Sequence, residues 1–211
     1  MSKIFILEHP VADCIITEIR DKNTTHRPMR RLFERLTTLI TSEATRYLPT
    51  EQIKVESPMQ KTVGFQLSGE VAVVPILRAG NAMLNAFLQV LPDARIGYLG
   101  MSRDEKTLKP TTYLDGVSEI AEDADRIIRT FVIDPMLATG GSGSRACTIL
   151  KEKGIKRIVM ICLFAAPEGI AKMQEDHPDI DIYVAQRDEC LNDVGFILPG
   201  IGDAGDRYCG T

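Results

Sequence analysis

Val71-Ala-Val-Val-Pro-Ile-Leu77 is a near-continuous apolar run. A strand that is apolar on successive residues has no wet face, so it must be covered on both sides, as in a parallel sheet layered by helices. Arg157 to Phe164 repeats the pattern, and Phe131 to Ile133, preceded by Arg126-Ile-Ile-Arg129, gives a third β-forming run. Each leads through a short turn into helical periodicity. Asn81 to about Val90 follows the first, and Ala165-Ala-Pro-Glu-Gly169 follows the second, opening a helix that runs to about Glu175. Ser144 to Lys153 follows the third, with Ala146, Ile149 and Leu150 on one face and Gly154 at the stop. Ile180 to Ala185 reads as one more strand. Strands alternating with helices predict an α/β fold with a doubly wound parallel sheet. No internal repeat, low-complexity tract or linker divides the chain, so residues 1–211 are read as one domain.

Other segments decorate that sheet. Ile4 to Leu7 is β-like, His9-Pro10 breaks the chain, and Val11 to Arg20 reads as a helix with Val11, Ile15 and Ile19 in register. A longer helix starts near Pro28 and carries Met29, Leu32, Phe33, Leu36, Leu39, Ile40, Ala44 and Tyr47 on one stripe, the signature of core or subunit contact. Ile53 to Glu56 and Lys61 to Leu67 read as short strands, the second at a sheet edge, and Ala94 to Met101 as another strand. Lys109 to Ile120 has no helical period and a turn signal at Asp115-Gly116, so it predicts a β-hairpin arm.

Composition narrows the function classes. A net charge of −4 disfavours a general nucleic-acid binder. No apolar run approaches a membrane span, and the N-terminus reaches charge too soon for a secretory signal, so the cytoplasm is expected. Five scattered cysteines without C-x-x-C spacing argue against a disulfide framework or a zinc site. His9, His26 and His177 stand far apart and read as surface or capping residues.

The chemistry concentrates between the third strand and its helix, in Asp134-Pro-Met-Leu-Ala-Thr-Gly-Gly-Ser142. Adjacent glycines let successive N–H groups point into one concavity, and the following helix adds the positive end of its dipole, which makes an anion cradle. A Walker loop is disfavoured because no lysine lies between Asp134 and Arg145. Gly141-Ser-Gly143-Ser-Arg-Ala146 fits a dinucleotide fingerprint, with Glu168 about 20 residues on, but leaves Asp134 and Thr139 without a role. A sugar-phosphate site uses both, the carboxylate gripping hydroxyls while the turn holds a 5′-phosphate.

Val132-Ile-Asp-Pro-Met-Leu-Ala-Thr-Gly-Gly-Ser142 resembles the phosphoribosyl-pyrophosphate loop of phosphoribosyltransferases, in the form found in uracil phosphoribosyltransferases. Pro75-Ile-Leu-Arg-Ala-Gly80 is similar to that family's pyrophosphate loop, with Asn81-Ala82 where relatives usually have Leu-Gly, and Gly80 is read as letting the backbone approach the ligand. Gly195-Phe-Ile-Leu-Pro-Gly-Ile-Gly-Asp-Ala-Gly-Asp-Arg-Tyr-Cys-Gly-Thr211 resembles its base-binding tail, and Leu7-Glu-His-Pro10, Arg20-Asp-Lys-Asn-Thr24 and Glu43-Ala-Thr-Arg46 its N-terminal region.

The resemblance implies a phosphoribosyltransferase-like fold with N-terminal helices, a flexible hood over about residues 104–128 and a tail at 195–211. It implies conversion of uracil and phosphoribosyl pyrophosphate to UMP and diphosphate. Arg78, Arg103, Asp134, Pro135, Met136, Leu137, Ala138, Thr139, Gly140, Gly141, Ser142 and Asp203 are then expected to bind phosphoribosyl pyrophosphate. Ile197, Gly202, Asp203 and Ala204 are expected to bind uracil, with Asp203 and Arg103 in catalytic roles. Mg²⁺ is expected to be held by substrate and water rather than by a dedicated side-chain set. A homodimer or homotetramer and a GTP-type nucleotide effector also follow from the resemblance, while no nucleic-acid or membrane partner is expected. Tyr113-Leu-Asp-Gly-Val lacks the lysine and proline usual in the hood, so its residues receive no role. The competing class is a non-enzymatic sensor on the same fold, which loss of Asp134 or of the tail would have favoured.

Overall fold

The computed structural model describes residues 2–103 and 110–211, with only the backbone described at Arg103 and Pro110. In chain order its elements are β1 (Ile4–Ile6), α1 (Pro10–Arg20), α2 (His26–Ala44), β2 (Thr50–Glu56), β3 (Lys61–Leu67), β4 (Glu70–Leu77), α3 (Asn81–Val90), β5 (Arg95–Ile96), β6 (Tyr98–Arg103) and β7 (Pro110–Gly116). They continue with α4 (Ser118–Glu122), β8 (Ile127–Ile133), β9 (Met136–Leu137), α5 (Gly141–Glu152), β10 (Ile158–Ala165), α6 (Pro167–Asp176), β11 (Asp181–Arg187), β12 (Cys190–Leu191), β13 (Ile197–Leu198) and α7 (Ala204–Cys209).

The main sheet runs β1-β11-β10-β8-β4-β6-β7, with β5 beside β4 and β9 beside β10. All of its pairings are parallel except β6 with β7. The apolar runs form its centre. Each residue of β10 is buried, and β4 is buried from Val71 to Ile76. Successive β4 side chains enter opposite cores. Val71 and Val73 pack with Phe33, Leu36 and Phe87 from α2 and α3, whereas Ala72, Val74 and Ile76 join the core that holds Ile149 and Leu150 of α5 and Ile170 of α6. Helices thus cover both faces, giving the doubly wound α/β sheet that the strand pattern predicts.

Several expectations change. The strand predicted over Ala94 to Met101 is broken at Gly97, where a Cβ would stand 2.5 Å from Ile120 Cδ1, so β5 and β6 are separate pieces. β3 is not an edge of the main sheet; it pairs antiparallel with β2 in a sheet of their own. The Asp115-Gly116 turn signal is overturned, because Gly116 lies opposite Tyr98 at the far end of the β6–β7 pair. The reversal between those strands lies outside the described residues. Part of the expected hood is tied to the core: Val117, just before α4, and Ile120 on it are buried, and β8 has begun by Ile127. Tyr47 lies past the end of α2 and is exposed.

His9 caps α1 as expected, its Nδ1 accepting from the Val11 N–H at 3.1 Å. His177 departs from the surface reading. It is buried at the end of α6, with Nε2 2.9 Å from the Ser144 carbonyl and Nδ1 3.1 Å from Lys151 Nζ, linking α5 to α6.

Candidate active site

β4 and β8 are neighbours, with Pro75 opposite Ile133, so Arg78 and Asp134 leave the sheet side by side at the carboxyl ends of their strands. The helix after β4 packs on one face and the helix after β8 on the other. Where consecutive crossovers diverge in this way a crevice opens, and that is where ligands sit in open α/β sheets. Here it is a cavity of about 670 Å³. Three stretches far apart in sequence line it: the turn at Arg78, the turn from Met136 to Gly143, and the tail at Ile197, Gly202, Asp203 and Ala204.

The glycine turn is fastened from behind. The Pro135 carbonyl accepts from the Leu163 and Phe164 amides at 3.2 and 2.9 Å, and the Leu137 carbonyl accepts from Ala166 N–H at 3.0 Å. Gly140 has φ of 77°, a left-handed conformation that a side chain would strain, and a Cβ there would lie 2.7 Å from the Gly169 carbonyl oxygen. Gly169 meets the turn from the opposite side: its Cβ would stand 2.4 Å from Ala138 O and 2.6 Å from Leu137 O. The two glycines let the turn rest directly on the first turn of α6. The α5 N-terminus then faces the cavity, with Gly141 and Ser142 in its lining.

Asp134 sits half-buried at the strand end, its N–H donating to Ile161 O at 3.2 Å. Burial pushes its carboxyl up to about 7, partly offset by a hydrogen bond from the Met136 amide. A carboxylate held near neutrality in a cleft is a group waiting for a hydroxyl or cationic partner.

Gly80 does its work elsewhere than expected. It has ordinary helical φ, is buried, and a Cβ would meet Ile133 O at 2.5 Å and Ile76 O at 2.7 Å. Its lack of a side chain lets β4, α3 and β8 close up rather than letting backbone approach a ligand. Arg78 is exposed, and the peptide before it is cis.

The tail is more structured than a chain of glycine turns. β13 pairs antiparallel with β12, Leu198-Pro199 is cis, and α7 follows, capped by Asp203 Oδ1 accepting the Asp206 N–H at 2.9 Å.

Every expected site residue except Pro135 and Arg103 lines the one cavity. Pro135 is buried behind the turn. Arg103 ends β6, whose Met101 and Ser102 reach the cavity, but its side chain lies outside the described residues. The sequence reading missed Tyr113 and Phe196, exposed aromatics on the cavity wall, and Gly169 beneath it. The exposed aromatics carried a usable signal, since large apolar side chains beside polar turns often face a ligand. Gly169 carried none.

Comparison with known proteins bears on the same residues. The family model described as uracil phosphoribosyltransferase matches residues 6–211. A uracil phosphoribosyltransferase of Finegoldia magna is 50% identical over 100% of both chains, and those of Lysinibacillus sphaericus and Bacillus thuringiensis are 47% and 45% identical over the same span. The solved structure of the AQ2163 protein from Aquifex aeolicus superimposes with a TM-score of 0.89 at 32% identity, covering 97% of each chain. A hypoxanthine-guanine phosphoribosyltransferase from Bacillus anthracis shares the fold alone, with a TM-score of 0.51 at 10% identity over 77% of this chain and 80% of that one. The match spans the phosphate turn, the arginine turn and the tail that meet in the cavity, and the chain belongs to the uracil phosphoribosyltransferase family.

Proposed function

We propose that this chain joins uracil to phosphoribosyl pyrophosphate, forming UMP and pyrophosphate in pyrimidine salvage. The observation that carries the reading is the meeting of all three recognition stretches in one cavity. Backbone amides from Ala138 to Ser142 hold the 5′-phosphate at the positive end of α5. Asp134 accepts hydrogen bonds from the ribose hydroxyls, and Arg78 with Arg103 balances the pyrophosphate charge. Uracil lies against Ile197, Gly202 and Ala204, with N1 turned to C1′. The N1–C1′ bond forms as the bond from C1′ to the pyrophosphate oxygen breaks, and the N1 proton passes to solvent water. With one Asp203 oxygen committed to capping α7, we read that side chain as orienting the base rather than as a free base. Positioning and electrostatics supply the rate, without a protein nucleophile.

Mg²⁺ fits this donor set. Among the described residues, Asp134 and Asp203 are the carboxylates lining the cavity. Such a site suits a hard cation that keeps substrate and water oxygens as most of its ligands. When bound it would neutralise charge on the departing pyrophosphate.

The test is product formation: UMP and pyrophosphate are expected only when uracil, phosphoribosyl pyrophosphate and Mg²⁺ are all present. Cytosine presents a donor where uracil has O4, so it should react at least tenfold more slowly, a buried unpaired backbone group costing about 1–3 kcal/mol. Tight ligand binding without turnover by the folded protein would favour the sensor reading instead. Regulation by a GTP-type nucleotide is supported by the family likeness alone, and the same assay with and without GTP tests it.

We also propose a homo-oligomer, dimer or tetramer, with the β2–β3 hairpin as a contact between copies. Val63 and Phe65 are exposed on one face of this ribbon and Val55 on the other, with Met59 bare at its tip. A lone two-stranded ribbon is marginal in water, and so much exposed apolar surface marks an interface. Phe65→Asp is expected to lower the mass measured by light scattering to that of a smaller assembly. An unchanged mass would remove the hairpin from the interface. Among the described residues no helix is long and apolar enough to cross a membrane, and we assign the reaction to the cytoplasm.

A further inference from the structure

Behind the tail, one peptide segment is gripped from two sides by a charged pair that never touches the cavity. Gly200 is buried with φ of 55°, and a Cβ on it would lie 2.0 Å from the Ile197 carbonyl oxygen, so the turn folds tightly onto its own start. Its N–H donates to Asp188 Oδ2 at 3.0 Å, and its carbonyl accepts from Arg20 Nη1 at 2.9 Å. The Arg20 guanidinium also forks onto both Asp188 oxygens and stands over the Phe164 ring, 5.5 Å from its centroid. The Asp188 side chain is 1% exposed, and its backbone N–H donates to Ala165 O at 2.8 Å, anchoring it to the end of β10.

Neither residue lines the cavity. A buried carboxylate costs stability unless fully partnered, and well-packed apolar residues often fill such space at least as stably. What apolar residues could not do is hold both the N–H and the C=O of Gly200 at fixed positions. Ile197 and Gly202, on either side of Gly200, line the cavity, so the placement of Gly200 sets the spacing of the backbone offered to a ligand there.

We propose that Arg20 and Asp188 are positioning residues for uracil, clamping Gly200 so that the backbone at Ile197 and Gly202 presents a preformed edge to the base. The proposal rests on the reading of the tail as the base site. Its signature is selective: the clamp lies behind the tail and not behind the phosphate turn, so uracil binding suffers while phosphoribosyl pyrophosphate binding does not.

Steady-state kinetics of three variants test it. Asp188→Asn keeps the shape but removes the charge that orders the Arg20 fork. It should raise KM for uracil about tenfold or more and leave KM for phosphoribosyl pyrophosphate within about threefold, as loss of a charge-assisted bidentate contact implies. Arg20→Lys keeps the charge but not the fork, and should show the same selectivity with a smaller rise. If Asp188→Asn does not fold by circular dichroism, Arg20→Lys decides alone. Equal rises in both KM values, an unchanged KM for uracil, or a fall in kcat alone overturns the proposal. Ala204→Val, on the cavity wall, separates the two readings. If it raises KM for uracil and the clamp variants do not, the clamp is wrong; if none of the three does, the tail is not the base site.

Discussion

Gly140→Val is expected to lower kcat/KM for phosphoribosyl pyrophosphate by more than about 10³-fold, since several preorganised donors would be lost together and one alone is commonly worth 10²–10³. Valine at φ of 77° is strained, a cost of order 1–3 kcal/mol. Its Cβ would also fall 2.7 Å from Gly169 O and 2.9 Å from Lys172 Cβ. From the sequence alone the expected damage is a blocked anion nest in an otherwise intact fold. The structure adds a collision with α6, so the turn must lift off its support. Gly169→Ala approaches from beneath, with its Cβ 2.4 Å from Ala138 O, and should weaken the same substrate. Kinetics on both variants, with circular dichroism to confirm folding, check this. Normal turnover by either one would sink the phosphate assignment.

Asp134→Asn should cost about 2–4 kcal/mol of transition-state stabilisation, about 30-fold to 10³-fold in kcat/KM, while making the ligand-free protein more stable at high pH. Burial raises this carboxyl from 3.8 to about 7. Between those values the folded state binds a proton that the unfolded state has released. Stability therefore falls as pH rises from about 4 to about 7, and the deficit stays in full above that. Asparagine carries no such deficit. The full linkage value, about 4 kcal/mol, is cut by solvent screening because Asp134 is only half-buried, so in metal-free buffer the variant's Tm at pH 8 should exceed that of the wild type by roughly 2–6 °C, a gain of about 1–2 kcal/mol. Near pH 4 the two should agree. A wild-type Tm that does not fall relative to the variant over this range would show that Asp134 is not held near neutrality, and a drop in kcat/KM below about threefold would remove it from ribose binding.

How much could be read in advance depended on how local the determinants are. β4 and β10 declare themselves because burial on both faces leaves them apolar at successive positions, and α3 was placed at its observed bounds, Asn81–Val90. α5 begins earlier than its periodicity suggests, at Gly141, because Gly141 and Ser142 are weak helix formers recruited by the turn before them. α4 was missed: five residues with only Ile120 buried are too few to show a period. Asp115-Gly116 misled because turn composition says nothing about which partner a strand finds. The site's cavity wall was legible wherever motif residues supply it. The support beneath was not, since the contact of Gly169 with Ala138 and the Arg20–Asp188 pair depend on residues brought together only by the finished sheet.

The sheet's pairing order also sets a timetable. β1, made first, lies beside β11, and Ser2 reaches Ile180 O, so this edge stays open until residues near 180 have been synthesised. The tail is bound to the same early segment, with Arg207 reaching the Ile19 and Asp21 carbonyls at the end of α1 at 2.6 and 2.7 Å. Contacts of such sequence separation form late and slowly. On the ribosome the glycine turn proposed to hold phosphate can be assembled before the tail proposed to bind the base has been made. On that proposed assignment, competence to use uracil arrives together with closure of the fold, and a nascent or partly unravelled chain could not spend phosphoribosyl pyrophosphate on it.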